Sequence, residues 1–323
     1  MIRAAFAFAA TASVALAATA LLAFVATALL ACAPAEPLKV PFTHRGEVPN
    51  PLVWRADHSE HGTLFLLGSV HLNKERIGNL GPAVGAAWQG SEELVVEIDT
   101  SALSSGEISA LMERYGILTP PLTLADVLPA ELWQRIVVYV RSRGISEKSI
   151  MNWKPWFLYL VLIQLEFARA GYESENGVDE LFVRAAEGTM PIVALESMDS
   201  QLEIFDQLPA LLQQQLLEDA LTQADDVPNE VAALVDAWMR GDADRLTELV
   251  FQPLDEKPEL AIFYDRVFFQ RNRSMTAGLE EIARDRKTRL VVVGAGHMLG
   301  AEGIPTLLEE RGWSVVVLGG LVH

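Results

Sequence analysis

The stretch "FLLGSVHL" (residues 65–72) runs from apolar residues into Gly-Ser-Val-His, and "VVVGAGHMLG" (291–300) repeats the arrangement with Gly-Ala-Gly-His. Each time, an apolar run typical of a buried strand reaches a glycine and then, three residues later, a histidine. The carboxyl ends of strands in open α/β sheets face the ligand crevice. We therefore expect His71 and His297 to meet at one edge of a sheet, although they are far apart in the sequence.

Further apolar runs predict the rest of this sheet. The first two runs are separated by the polar turn "HSEH", which indicates a hairpin. The others are nearly continuous in Val, Leu and Ile, which is typical of strands buried on both faces. The runs are residues 52–57, 62–69, 93–99, 191–197, 289–296 and 313–320. They predict an α/β fold with a central mixed sheet flanked by helices.

Helical patterns fill the intervals between the strands. In "NEVAALVDAWMR" the apolar residues fall on one face, and Gly241 follows as a stop signal. The segment "KPWFLYLVLIQLEFARA" (154–170) is apolar nearly all round and predicts a buried helix. We expect one domain over residues 51–323, with a large helical insertion at about 105–170 and 200–288 between the N- and C-terminal strand blocks.

The N-terminus has the features of an export signal. Arg3 is the only charged side chain in residues 1–31, and the long apolar run ends at Leu29-Leu30-Ala31-Cys32. This sequence resembles the bacterial lipobox, in which the cysteine is lipidated and becomes the mature N-terminus. We expect a lipoprotein signal peptide (1–31), a flexible tether (32–50) and a body anchored at a bacterial membrane, facing the periplasm or the cell exterior. The alternatives are an ordinary signal peptide followed by a free thiol, and an uncleaved anchor.

The charge of the chain limits its partners. The formal net charge is −18 at pH 7, and it becomes −19 when residues 1–31 are removed. Such an acidic surface argues against nucleic acid as a partner. The sequence does not indicate an oligomeric state.

Three side chains are candidates for a catalytic metal site. His71 and His297 are expected at strand ends, and Glu97 interrupts the apolar run "LVVEID", where an ionised carboxylate is costly unless it is paired or bound to a metal. Two histidines and a carboxylate, with positions left open for water, are the usual composition of a catalytic metal site.

Each candidate also has a simpler interpretation. Glu97 is explained equally by an ion pair with Arg271 or Arg273. Asp179 is most simply a helix cap, and Glu196 part of a strand-to-helix cap. The remaining histidines, His44, His58, His61 and His323, are assigned no role.

Three blocks together resemble the TraB/GumN family, which includes the animal Tiki proteases. The first block is a strand with G-[ST]-x-H followed by a strand with "EID", at residues 64–99. The second contains G-[VLI]-D, a strand ending in "LE" and a nearby Gln, at 175–205. The third contains R-N, a helix and a strand with G-x-G-H, from residue 270 onward. The resemblance covers about residues 50–320 and includes Lys154-Pro155-Trp156.

The resemblance implies a metal-dependent peptidase acting on a peptide or protein substrate. Carried over residue by residue, the metal-binding and catalytic residues are His71, His297 and Glu97, with a divalent ion such as Mn, Co, Zn or Fe. Arg271, Asn272 and Glu196 are expected to support these groups or to contact substrate. Whether Glu97 is a ligand or a general base stays open.

Three other functions remain open at this point. Erythromycin-esterase-like enzymes suggest a metal-free hydrolase in which a histidine activates water. A related group of haem-binding lipoproteins suggests a carrier that holds haem or iron between the two histidines. The last is a surface scaffold that retains the motifs without turnover.

Overall fold

The structure is a computed structural model that describes residues 48–320. The predicted signal peptide, Cys32, most of the tether, His44 and His323 lie outside these residues, so the predictions about them stay predictions. Within residues 48–320, no helix combines the length and the hydropathy needed to cross a bilayer.

Six strands form one mixed sheet in the order β4-β3-β5-β2-β1-β6. β1 pairs antiparallel with both β2 and β6, whereas β2–β5, β5–β3 and β3–β4 are parallel. The predicted α/β class and the hairpin are therefore confirmed. The strands are β1 Val53–Asp57, β2 Thr63–Ser69, β3 Glu93–Val96, β4 Ile192–Ala194, β5 Arg289–Gly294 and β6 Ser314–Gly319.

Burial on both faces holds for the interior of the sheet but not for its edges. Every residue of β3 and β5 is buried, as their continuous apolar runs predict. The expectation is wrong for β4, which is short and half-exposed, and for β6, where Val316, Val317 and Leu318 are exposed. Both are edge strands, so neighbouring elements cover only part of each.

Helices fill the segments between the strands. After β2 comes α1 (Gly81–Gly90), and after β3 come α2 (Ser105–Gly116), α3 (Leu124–Val127), α4 (Ala130–Ser142), α5 (Glu147–Ile150), α6 (Pro155–Arg169) and α7 (Val178–Ala186). After β4 come α8 (Met198–Asp206), α9 (Ala210–Gln223), α10 (Val227–Arg240), α11 (Ala243–Glu256), α12 (Ala261–Tyr264) and α13 (Gln270–Ala283). α14 (Ile304–Glu310) precedes β6. A π-helical segment, Asp265–Phe269, joins α12 to α13.

The helical region supports the strand ends. α6 is the predicted buried helix, and it begins with Pro155 in its first turn, where no backbone N–H is needed. α10 ends at Gly241 in the left-handed conformation (φ 65°), as the sequence predicts. From the last turn of α10, the buried Trp238 donates its Nε1–H to the Gly68 carbonyl at 2.6 Å. This hydrogen bond holds the end of β2 at Gly68, three residues before His71.

Candidate functional site

The parallel pairing of β2, β5 and β3 brings three side chains to one edge of the sheet. Ser69 is in register with Gly294, and Val96 with Val292, so the three strands end close together. His71 follows β2, Glu97 follows β3 directly, and His297 lies in the 3₁₀ turn Ala295–Met298 after β5. The exposed fractions of these residues are 2%, 4% and 1%, so the site is almost fully buried.

Both histidines present Nε2 to the same carboxylate oxygen. The distance to Glu97 Oε1 is 4.0 Å from His71 Nε2 and 3.8 Å from His297 Nε2. Both nitrogens are buried, and neither has a hydrogen-bond partner within residues 48–320. Buried polar atoms are rarely left without a partner, so an unpaired one calls for a functional explanation. Two such atoms beside one carboxylate point to a ligand or a reacting group between them.

Asn272 fixes the tautomer of His297 by binding Nδ1, the outer ring nitrogen, which faces away from Glu97. Asn272 Nδ2 donates to the Glu302 carbonyl at 2.7 Å, which orients the amide so that Asn272 Oδ1 faces His297 Nδ1 at 2.5 Å. Because Oδ1 can only accept, Nδ1 must carry the proton. Burial, with the nearby positive charge of Arg271, lowers the pKa of His297 to about 3. The ring is therefore neutral at ordinary pH, and Nε2 keeps a free lone pair.

The outer nitrogen of His71 is held by a carboxylate. Asp179 Oδ2 lies 2.8 Å from His71 Nδ1. The helix-cap interpretation of Asp179 is wrong: α7 begins without a side-chain cap, and its first amide, that of Val178, is bound by the Val70 carbonyl. Burial alone would lower the pKa of His71, but the charge and hydrogen bond of Asp179 outweigh it, so this pKa is raised.

Glu97 is held by a cation and by a backbone amide. Arg271 Nη2 donates to Glu97 Oε2 at 2.5 Å, and the Gly294 N–H donates to Oε1 at 2.6 Å. Gln201 Nε2 also donates to Oε2, at 3.2 Å. Burial by itself would raise the pKa of Glu97, but the charge of Arg271 outweighs it and holds this pKa far below its ordinary range. Glu97 is therefore an ionised carboxylate at neutral pH.

Arg271 is shared between two carboxylates. Its Nη2 also donates to Glu196 Oε2 at 2.6 Å, and its Nη1 donates to the Val267 carbonyl at 3.0 Å. The cap interpretation of Glu196 is wrong, since Ser197 caps α8 while Glu196 binds Arg271. Of the two arginines considered as partners of Glu97, Arg273 plays no part in the site. It pairs instead with Asp265 and Glu302 at the surface.

Gly294 leaves a small space at the point where these atoms converge. A Cβ atom added to Gly294 would lie 2.9 Å from His71 Nε2, 3.2 Å from Glu97 Oε1 and 3.5 Å from the His297 ring. We call this space the Gly294 cradle. The φ of Gly294 is −50°, an ordinary value, so the glycine is explained by space and not by backbone conformation.

The atoms that face the cradle, two imidazole nitrogens and a carboxylate oxygen, are of the types that bind divalent metals. Both imidazoles donate their outer N–H to an acceptor, the usual arrangement around histidines that bind metal. No group of three or more His, Cys, Asp and Glu among residues 48–320 forms a ready-made metal cluster. Two ligands of one ion with bonds near 2.1 Å lie about 3.0–3.4 Å apart. The two Nε2–Oε1 distances are longer, at 4.0 and 3.8 Å.

Sequence reasoning missed several contributors to the site. Asp179 and Gln201 both lie in the second sequence block, as the Asp of G-[VLI]-D and the Gln after "LE", and that position was the available signal. The Gly294 amide left no signal of its own, because any residue except proline supplies a backbone N–H.

Comparison with known proteins identifies the family of the chain. The sequence pattern of the TraB/PrgY/gumN family matches residues 52–317. The chain belongs to the TraB/PrgY/gumN family. The first five strands, most of β6 and the three residues of the site lie within the matched range.

One named relative has low sequence identity to the chain. The chain is similar to a protein of Amphimedon queenslandica described as "Metalloprotease TIKI homolog", with 22% identity over 316 residues. The alignment covers 82% of this chain and 61% of the relative, so the chain spans less than two thirds of that protein's length. No solved structure matches the chain.

The buried ion pair gives a testable prediction about stability. Arg271→Met should lower the free energy of unfolding by about 3–5 kcal/mol, because Glu97 is then buried without its partner. Adding Glu97→Gln should recover part of this loss, and urea unfolding of the four proteins in the cycle measures the coupling.

The matched control is an exposed pair. Arg284 and Glu281 are 65% and 64% exposed, so Arg284→Met should cost less than about 1 kcal/mol. Equal losses for the two arginine variants, or strict additivity of Arg271→Met and Glu97→Gln, would contradict the proposed coupling.

Proposed function

We propose that this protein is a metal-dependent hydrolase, of the peptidase type, whose chemistry takes place at the Gly294 cradle. The observation that carries the proposal is the convergence of two unpaired imidazole nitrogens and an ionised carboxylate on one buried space. The membership of the family and the Tiki-like relative support the peptidase class. His71, His297 and Glu97 would hold the ion. When bound, such an ion lowers the pKa of a water molecule and polarises the carbonyl under attack.

The residues of the chain then have separable roles. His297 is a permanent lone-pair donor, since Asn272 keeps its proton on Nδ1 and its pKa of about 3 keeps the ring neutral. Asp179 accepts the Nδ1–H of His71 and so orients this ring with Nε2 toward the cradle, where it would be the second imidazole ligand. Arg271 and the Gly294 amide fix Glu97 as a carboxylate with Oε1 facing the cradle.

One observation favours a metal-free hydrolase as a second candidate. The Asp179–His71 pair has the arrangement of the acid–histidine pairs that activate a nucleophile or water, and the pKa of His71 is raised. In this interpretation His71 removes one proton of water directly, and the other O–H of the water donates a hydrogen bond to Glu97 or to His297. The haem-carrier alternative is disfavoured, because Glu97 fills the space beside both nitrogens where a macrocycle would pass.

Metal analysis tests the proposal and separates the two candidates. The full chain, purified without a histidine tag, is incubated with Mn²⁺, Co²⁺, Zn²⁺ or Fe²⁺, desalted, and analysed for metal and for cleavage of fluorescein-labelled casein. We expect near-stoichiometric metal, abolished in His297→Ala together with at least about a hundredfold loss of activity. His58→Ala, in the turn between β1 and β2, is the control and should change neither quantity.

The other outcomes are equally informative. Cleavage that persists in EDTA, without bound metal, and is lost in Asp179→Asn would favour the metal-free reading. Full activity of His297→Ala would overturn both readings.

We further propose that the protein is exported and held at a bacterial membrane by a lipid on Cys32. The support is the apolar run that ends at the lipobox-like sequence and the absence of any other cysteine in the chain. Cys32→Ser should lose metabolic labelling by an alkyne fatty acid and move the protein from the membrane to the soluble fraction. Ser13→Ala, within the apolar run, is the control. Membrane retention of Cys32→Ser without label would instead indicate an uncleaved anchor.

A further inference from the structure

A cleft of about 490 Å³ lies beside the site, between α8 and the helix that carries Arg271. One wall is formed by α8 and its C-terminal end, and the other by the π-helical segment and α13. Glu196 and Arg271 lie in its lining as well, so the ion pair that supports Glu97 also borders the cleft. The polar residues of the two walls are Ser200, Glu203 and Gln207 on one side and Arg266, Gln270 and Ser274 on the other.

The walls of the cleft are mostly polar. Residues 200, 203, 204 and 207 follow the i, i+3, i+4, i+7 spacing of a single helix face. This face is open to solvent at Ser200, Glu203 and Gln207, so a ligand can reach it. Here only Ile204 is apolar, and the facing wall offers hydroxyl, amide and guanidinium groups. The cleft is therefore lined by hydrogen-bonding groups of the kind that recognise peptide N–H and C=O groups.

Two charged side chains of the cleft have no ion-pair partner in the described part of the chain. Glu203 accepts a hydrogen bond from Gln207 Nε2 at 2.8 Å, and Arg266 donates to the Gln207 carbonyl at 2.5 Å. Neither charge is neutralised by these contacts. Because they stand on opposite walls, a ligand in the cleft meets one free negative and one free positive group.

The wall formed by α8 is connected to the catalytic carboxylate. Gln201 of this helix donates to both Glu97 and Glu196. At its other end, Asp206 accepts from Lys154 Nζ at 2.5 Å and from Trp156 Nε1 at 3.2 Å, which anchors α8 to α6. The wall is thus held in a fixed position relative to the site.

We propose that this cleft binds an extended polypeptide segment of the substrate, with Glu203 and Arg266 contacting its charged groups. The proposal rests on the proposed peptidase function and adds the place where the polypeptide is held. It assigns binding and specificity, not chemistry, to the cleft residues.

Kinetics with oxidised insulin B chain as an unstructured probe test the proposal. Ser274→Trp, which fills the cleft from one wall, and Glu203→Lys, which reverses a charge on the other, should each raise KM about tenfold or more while kcat stays within about twofold. Both positions are exposed, so the variants are expected to fold, and far-ultraviolet circular dichroism checks this. The control is Ser109→Trp, an exposed serine on α2, which should leave both constants unchanged.

Equilibrium binding separates failure of this proposal from failure of the proposed function. Fluorescein-labelled insulin B chain is titrated against His297→Ala, with and without Ser274→Trp or Glu203→Lys. Binding that the cleft variants weaken supports the cleft even if the wild-type protein does not cleave the probe, in which case only the peptidase proposal is lost. Cleavage with KM unchanged in both cleft variants, or no binding to His297→Ala, overturns the cleft proposal.

Discussion

The guanidinium of Arg271 allows the carboxylate of Glu97 to stay charged beneath the surface of this protein. Glu97 is buried at a strand end, where an ionised group without a partner would be strongly unfavourable. Arg271 neutralises it and contacts Glu196 as well, so one cation joins β3, the loop after β4 and α13. Gln201 binds Oε2 and the Gly294 amide binds Oε1, which leaves one lone pair of Oε1 facing the cradle. The orientation of the carboxylate follows from these contacts before any ligand arrives.

The two histidines are likewise oriented by contacts on the side of the ring away from the cradle. Each ring is held at Nδ1 by a different acceptor, Asn272 or Asp179, and this leaves Nε2 facing the Gly294 cradle. The two histidines differ in their protonation. Burial and the charge of Arg271 keep His297 neutral, whereas the carboxylate of Asp179 favours the protonated form of His71. With a bound ion, both Nε2 atoms and Glu97 would be ligands; with water alone, His71 would be the proton acceptor.

The sequence predicts the fold well because its signals are local. The apolar runs identify all six strands, and two of them end in glycine and then histidine, which places the site at one edge of the sheet. The edge strands β4 and β6 have runs like those of the interior strands, so only the tertiary arrangement reveals their exposure. Asp179 and Glu196 look like helix caps because both lie beside the start of a helix. Their contacts, with His71 and Arg271, depend on segments too distant in sequence for local patterns to connect.

The most direct test of this account is the protonation of the histidines, measured by long-range ¹⁵N–¹H correlation NMR on chelator-treated, ¹⁵N-labelled protein. His297→Ala and His71→Ala identify the two sets of signals. The account predicts that His297 is neutral, with the proton on Nδ1 and a bare Nε2, and does not titrate between about pH 5 and 8, consistent with a pKa of about 3. A proton on Nε2 of His297, or an imidazolium at neutral pH, would contradict it, because the lone pair facing the cradle would then be absent.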